Sequence, residues 1–188
     1  MGRWEPNAEN RFRAAAIELF GEIGYEQTTV AAIAERAGLT ARTFFRYFAD
    51  KREVLFNGSE HLQQTMVDAL ADAPAEASAV DAIAAALMKA GEFFDDDLRP
   101  FSRLRSTVIA ANADLREREL IKLARLSAAL AQALRERGVG EPDASLAAEA
   151  GIAVFRVAFA QWVGEDERRS YGGIVQESLA RLRTLVAN

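Results

Sequence analysis

Over the first fifty residues the apolar positions come in short bursts at helical spacing, each punctuated by a glycine or a hydroxyl residue. From Ala8 to Ile23, Phe12, Ala16, Leu19, Phe20 and Ile23 recur every three or four positions, and Gly24 ends the run. Thr28-Thr29 offers an N-cap, after which Val30, Ile33, Ala34 and Ala37 make one face of a two-turn helix that stops at Gly38. Thr40 can cap a second short helix, roughly 41–47, with Phe44 and Phe48 turned inward at i and i+4. Asp50 then caps a long helix expected from near Lys51 to about Leu70, with Val54, Leu55, Leu62 and Met66 facing the core.

The segment ADAPAEAS (71–78) reads as a linker. Beyond it the pattern is helical again over about 79–94, 100–112, 114–137, 144–163 and 171–187, interrupted by DDDLRP, Asn112-Ala113-Asp114, GVGEPD and GEDERR. Two glycines, Gly172 and Gly173, leave the start of the last helix open. The chain is expected to be all-α, with a small N-terminal helical domain over 1–52 and a larger helical body over 53–188.

Composition narrows the classes. Half of the 188 residues are hydrophobic, enough for one sizeable domain or for one small and one medium domain, and Ala, Leu, Arg and Glu dominate. There is no cysteine, so disulfides, thiolate metal sites and cysteine nucleophiles drop out. His61 is the lone histidine, which removes paired-histidine and Glu-x-x-His metal sites, and no cofactor or metal is expected. No GxSxG, GxGxxG or P-loop occurs, so an enzyme is not expected. The start MGRWEPNAENR lacks a signal-peptide core and a myristoylation pattern, no apolar run approaches a membrane span, and a cytoplasmic location is expected. The net charge of −5 is uneven: residues 1–52 hold 8 Lys/Arg against 7 Asp/Glu, the remainder 15 against 21. Contact with a polyanion is therefore local to the N-terminal end.

Two short helices joined by AGLT have the form of a helix-turn-helix. With Phe44 and Phe48 inward, the second helix turns out Ala41, Arg42, Thr43, Phe45, Arg46 and Tyr47. Arginine can read guanine with two hydrogen bonds, threonine can meet a thymine methyl or a phosphate, and tyrosine can reach a backbone oxygen. An ordinary helical hairpin with a solvated basic face has the same spacing, so spacing leaves both open.

The stretch AAIELFGEIGYEQTTVAAIAERAGLTARTFFRYFADKREVLF resembles the DNA-binding domain of the TetR family of bacterial transcriptional regulators over Phe12 to Phe56. The phenylalanine-and-glycine end of the first helix, the two-threonine cap, the paired short helices, the aromatic cluster and the following lysine all stand in order. The resemblance implies a repressor, released from a palindromic operator by a small apolar or amphipathic effector. It implies contacts from Thr29 to phosphate, Thr43 to base or phosphate, Tyr47 to the DNA backbone and Lys51 to phosphate. Thr40 belongs to the same set, and Ala41, Arg42 and Arg46 occupy the variable positions where sequence choice resides. Phe45 departs from a tyrosine common in the family, so a hydroxyl contact is replaced by apolar packing. The RTFFRYF phrase also resembles a subgroup associated with acyl-CoA-like ligands.

The helix at 144–163 is apolar nearly all round, with Leu146, Ala150, Ala153, Val154 and Val157 on one side and Ile152, Phe155, Phe159, Trp162 and Val163 on another. Such a helix is buried on two sides, either as the central helix of a monomer or, with a stripe of Val175, Leu179, Leu182 and Val186 on 171–187, in the four-helix homodimer interface that the resemblance also implies. Phe93, Phe94, Leu104, Val108, Phe155, Phe159 and Trp162 are candidates to line the effector pocket, although aromatic positions are more often plain core. The rival classes are a helical-bundle enzyme and a protein-binding adaptor. An adaptor has no need of the cationic outward face.

Overall fold

The computed structural model describes residues 8–187. Residues 1–7, whose sequence argued against a leader, and residue 188 lie outside the described residues. Every regular element among the described residues is helical: α1 (Ala8–Glu22), α2 (Val30–Arg36), α3 (Ala41–Tyr47), α4 (Glu53–Phe56), α5 (Ser59–Ala71), α6 (Ala79–Ala90), α7 (Arg99–Ala111), α8 (Ala113–Glu136), α9 (Asp143–Trp162) and α10 (Tyr171–Ala187). Two 3-10 turns, Gly91–Phe93 and Asp96–Leu98, join α6 to α7. The chain divides into two compact units, one of residues to 57 with 104–119, the other of 58–103 with the chain from 120 on.

The first unit is built around the inward face of α1. Phe12, Ala15, Ala16, Ile17, Leu19 and Phe20 are buried there, and Ile33, Ala34, Phe44, Phe48, Val54, Leu55 and Phe56 from α2 to α4 are buried in the same unit. Ile23, placed by its spacing on the α1 face, is instead 50% exposed, because the helix ends at Glu22 and the chain turns away through Gly24. Gly24 has φ +86°, a left-handed geometry that strains any residue with a Cβ. From the parts of α7 and α8 in this unit, the half-buried Arg105 guanidinium donates to the Leu55 carbonyl at 2.7 Å and pairs with Glu119. Arg118 pairs with Glu53.

One expectation fails here. The helix expected over 51–70 is two helices, α4 and α5, parted by Asn57 in an extended conformation and Gly58 at φ +88°. The Asp50 carboxylate accepts from the Arg52 and Glu53 amides at 2.8 and 3.2 Å in the turn that leads into α4, but the N-cap position itself falls at Arg52. That helix lasts one turn. The predicted helix over 79–94 is likewise shorter: α6 stops at Ala90 and continues as the first 3-10 turn.

In the second unit α5, α6, α9 and α10 enclose one core with the C-terminal part of α8. Met66, Leu70, Ile83, Leu87, Leu130, Leu134, Trp162 and Ile174 are fully buried in it. Gly151 on α9 lies where α6 comes closest: a Cβ there would sit 2.6 Å from Ile83 Cγ2. Arg137, just past α8, donates to the carbonyls of Ala71, Ala73 and Pro74, so the linker after α5 is bolted down at its start.

Gly151→Ala is expected to push Ile83 off its rotamer and cost about 1–3 kcal/mol. An unchanged urea midpoint in this variant would mean that α6 and α9 are not packed this closely. Gly140→Ala, where a Cβ meets nothing within 4 Å, serves as the control.

Candidate nucleic-acid interface

The site starts from a ring. Phe12 of α1 lies edge-on to Phe44, 5.2 Å between centroids, and edge-on to Phe48 at 6.2 Å, while Phe44 and Phe48 are 5.1 Å apart. Those two rings are buried, as their i, i+4 spacing requires. Their burial decides which way the seven residues of α3 face. Ala41, Thr43 and Tyr47 stand half-buried at the edges, Arg42 and Arg46 are exposed, and Phe45 is 59% exposed. A large apolar ring left in water between two cations is the unusual feature of this face.

Both short helices are capped by the threonines that the sequence indicated. Thr29 Oγ1 accepts from the Ala32 amide and Thr40 Oγ1 from the Thr43 amide, each at 3.1 Å. The Thr40 and Thr43 hydroxyls are also 2.9 Å apart, so one donates to the other. Between the helices Gly38 takes φ +63°, and the Arg11 guanidinium reaches across from α1 to the Ala37 carbonyl. On the far side of α2, Arg36 forks onto Glu22 at 2.7 Å and approaches Glu18 at 3.4 Å. That hydrogen bond holds the Glu22 carboxyl below its ordinary range, although both partners are solvated and the pair adds little stability.

On α3 the Arg46 guanidinium lies 5.0 Å from the Tyr47 ring centroid and donates to the Tyr47 hydroxyl at 3.2 Å. Tyr47 in turn leans on Phe12 and Phe48. Lys51 precedes α4 by two residues. Its ammonium donates to the carbonyls of Tyr25, Glu26 and Thr28 at 2.8, 3.3 and 3.1 Å, and sits 4.3 Å over the Tyr25 ring. An ammonium has three N–H donors, and all three have partners here. Sequence reasoning placed Lys51 on phosphate; it gave no sign of this internal partnership, because the three carbonyls lie 23 to 26 residues away. Thr28, which stood beside Thr29 as a possible cap, is buried and donates to the Gly24 carbonyl.

The candidate effector residues separate. In the second unit Phe94 gathers Phe155, Phe159 and Trp162 at 5.8, 5.5 and 5.6 Å, together with Tyr171 at 4.4 Å, which the sequence did not suggest. Phe93 is turned toward His61, 5.2 Å away. Leu104 and Val108 belong to the first unit, where Leu104 packs beside Gly21. Of the acidic run, Asp96 accepts from Arg99 and from the Trp162 indole, and Asp95 caps its own 3-10 turn. Arg103 donates to the carbonyls of Val163 and Gly164 at the end of α9.

Burial pushes the Tyr25 phenol up to about 12 from an ordinary value near 10. Stability from its neutral burial is therefore complete below about pH 10 and is lost as pH rises toward 12. Tyr25→Phe should lose less stability than the parent between pH 10 and 11.5. Parallel urea midpoints for the two proteins would contradict the buried phenol.

Comparison with known proteins agrees with this geometry. Residues 12–57, from Phe12 in α1 to the end of α4, match the family described as "Bacterial regulatory proteins, tetR family". The HTH-type transcriptional regulator TcmR of Streptomyces glaucescens is 41% identical over 71 residues, covering 38% of this chain and 31% of that protein. The transcriptional regulator MftR of Mycobacterium tuberculosis (strain ATCC 25618 / H37Rv), whose name proposes a part in mycofactocin biosynthesis, is 30% identical over 142 residues, covering 75% of this chain and 71% of its own. Among solved structures, the fatty acid degradation regulator FadR from Bacillus halodurans shares the fold with a TM-score of 0.57 at 20% identity, covering 96% of each chain. With its helix-turn-helix, its all-α fold and this similarity along most of its length, the chain belongs to the TetR family of transcriptional regulators.

Proposed function

We propose that this regulator binds a pseudo-palindromic operator as a homodimer, represses the adjoining promoter, and is released by a small, largely apolar effector. The observation that carries the reading is the outer face of α3: Arg42, Phe45 and Arg46 stand exposed on a helix pinned from beneath by Phe44 and Phe48. Ala41, Arg42, Phe45 and Arg46 face base edges, while Thr29, Thr40, Thr43 and Tyr47 meet phosphate and sugar. Lys51, with three carbonyls on its ammonium, holds the loop that presents Thr29 and acts through it.

The dimer reading rests on the outer sides of α9 and α10. Leu146 is 64% and Val157 50% exposed on α9, Ala153 is exposed between them, and Leu185 and Val186 are exposed on α10. The opposite side of α9, with Ile152, Phe155 and Trp162, is core. One apolar side is thus used by the protomer and the other is open to a second copy, within the expected interface of 144–163 and 171–187. The effector site is assigned to the cluster of Phe94, Phe155, Phe159 and Trp162. The apolar lining fits the fatty-acid theme in the name of the Bacillus halodurans relative, and fits the acyl-CoA-like subgroup in its acyl part alone. Control cannot run along a single rigid helix over 51–70, since that stretch breaks at Asn57-Gly58.

Gel shift against DNA selected by the protein from a genomic library is the primary test. Loss of all salt-dependent binding would defeat the reading. Arg42→Ala and Arg46→Ala should each relax choice at particular bases by about 1–3 kcal/mol. Lys51→Ala should lower the melting temperature and weaken all sequences alike while leaving the salt slope unchanged; a slope lower by about one unit would instead put Lys51 on phosphate.

Ala153→Arg and Val157→Arg are solvent-facing in the protomer, so both should fold. At a dimer seam each buries an unpaired charge costing several kcal/mol, and light scattering should report monomer. A dimer surviving both changes would move the interface elsewhere.

A further inference from the structure

Tyr171 opens α10 at the centre of the aromatic cluster, and it is odd in one respect. Its side chain is 1% exposed, and its hydroxyl has no hydrogen-bond partner. Buried phenols are normally bonded, because leaving the O–H unpaired forfeits the hydrogen bonds that it made in water. Burial alone also raises its pKa well above the ordinary value, so the hydroxyl keeps its proton and remains a donor across the working pH range.

The ring that covers Tyr171 is held less firmly than the rest of the core. Phe94 lies 4.4 Å from it, centroid to centroid, and is only half-buried. Phe94 belongs to no α-helix. It sits between the two 3-10 turns of the 91–98 strap, where the Phe94 amide donates to the Gly91 carbonyl and the Leu98 amide to that of Asp95. Such turns have poorer hydrogen-bond geometry than an α-helix and yield at less cost. The strap is moored at its far end, where Asp96 accepts from Arg99 and from the Trp162 indole.

We propose that the Tyr171 hydroxyl is the polar anchor of the effector site, and that Phe94 is the ring an effector displaces to reach it. The inference rests on the effector reading above and specifies its chemistry. The ligand is uncharged and mostly apolar, carrying one hydrogen-bond acceptor such as a ketone, ester or lactone carbonyl. A phenol donates better than it accepts, because its oxygen lone pair is drawn into the ring; an acceptor is therefore the group that suits it. The walls are Phe155, Phe159 and Trp162, which offer no donor free for a carboxylate. Arg99, a cation beside the cluster, stacks on Trp162 at 5.2 Å, with its N–H groups on Asp96 and on the carbonyls of Glu167 and Arg169.

The test has two arms. Tyr171→Phe should leave the urea midpoint of the full chain unchanged or higher, since it removes an unpaired polar atom. A clear fall in the midpoint would mean that the hydroxyl already has a partner, a buried water included, and would overturn the anchor. In the second arm, Phe94→Ala vacates the volume of the ring, and Phe94→Leu serves if the alanine variant does not fold. Propiophenone and propylbenzene, alike in shape but with and without a carbonyl, are titrated by calorimetry. The ketone should bind about tenfold tighter, the worth of one hydrogen bond, and Tyr171→Phe in the same background should erase the difference. Equal affinities, a difference that survives Tyr171→Phe, or no binding by a folded variant would overturn the proposal. Operator binding in gel shift is scored separately: its loss in the parent would sink the regulator reading whatever the ketone result, while its retention beside a failed ketone preference would sink this site alone.

Discussion

The seven-residue α3 cannot hold itself. Two turns of isolated helix do not repay the entropy of nucleation in water, so the recognition helix exists only because something else fixes it. That role falls to the Phe12 ring, buried in α1 and meeting Phe44 and Phe48 edge-on from below. Burying each of these rings contributes about 1.5–3 kcal/mol, with a further increment from the edge-to-face contacts. Their direction also sets the rotation of α3 about its axis. With Phe44 and Phe48 down, Arg42, Phe45 and Arg46 have nowhere to point but outward. The residues that anchor α3 and those that it exposes thus alternate along the same two turns.

The basic side chains divide by what they hold. Lys51 binds three carbonyls of the α1–α2 loop, Arg105 the end of α4, Arg137 the linker after α5, and Arg99 and Arg103 the segment after α9. Each meets backbone oxygens that no helix satisfies, where a charged donor gives a stronger bond than a neutral one. In a chain of net charge −5, this leaves the exposed Arg42 and Arg46 as a local positive feature of an otherwise acidic protein. Local charge on a rigid helix favours register at one site over general attraction to DNA.

The two units use aromatic rings to opposite ends. In the first, Phe12, Phe44 and Phe48 are closed against one another beneath α3, and Phe45 is left outside. In the second, the Phe94 cluster is packed around a hydroxyl that it does not satisfy. A finished core seldom retains an unpaired donor, and that sets Tyr171 apart from Phe155 and Trp162, whose burial is ordinary packing.

Sequence alone determined the helical class, the two threonine caps, the inward pair Phe44 and Phe48, and the short length of α2 and α3. All of these depend on contacts within about four residues, where spacing and cap chemistry are written directly into the chain. The break at Asn57-Gly58 was legible as a turn signal, but Val54, Leu55, Leu62 and Met66 keep helical register across it, and periodicity hid the turn. What only the tertiary structure decided is whatever joins distant residues: Lys51 to the loop at 25–28, Tyr171 into the company of Phe94, Leu104 beside Gly21 in the other unit from that cluster. Those partners are tens of residues apart, and periodicity records only which face of a helix is apolar. Which distant face it meets is set by close packing of the whole unit, a condition on volumes and angles that no short stretch of sequence carries.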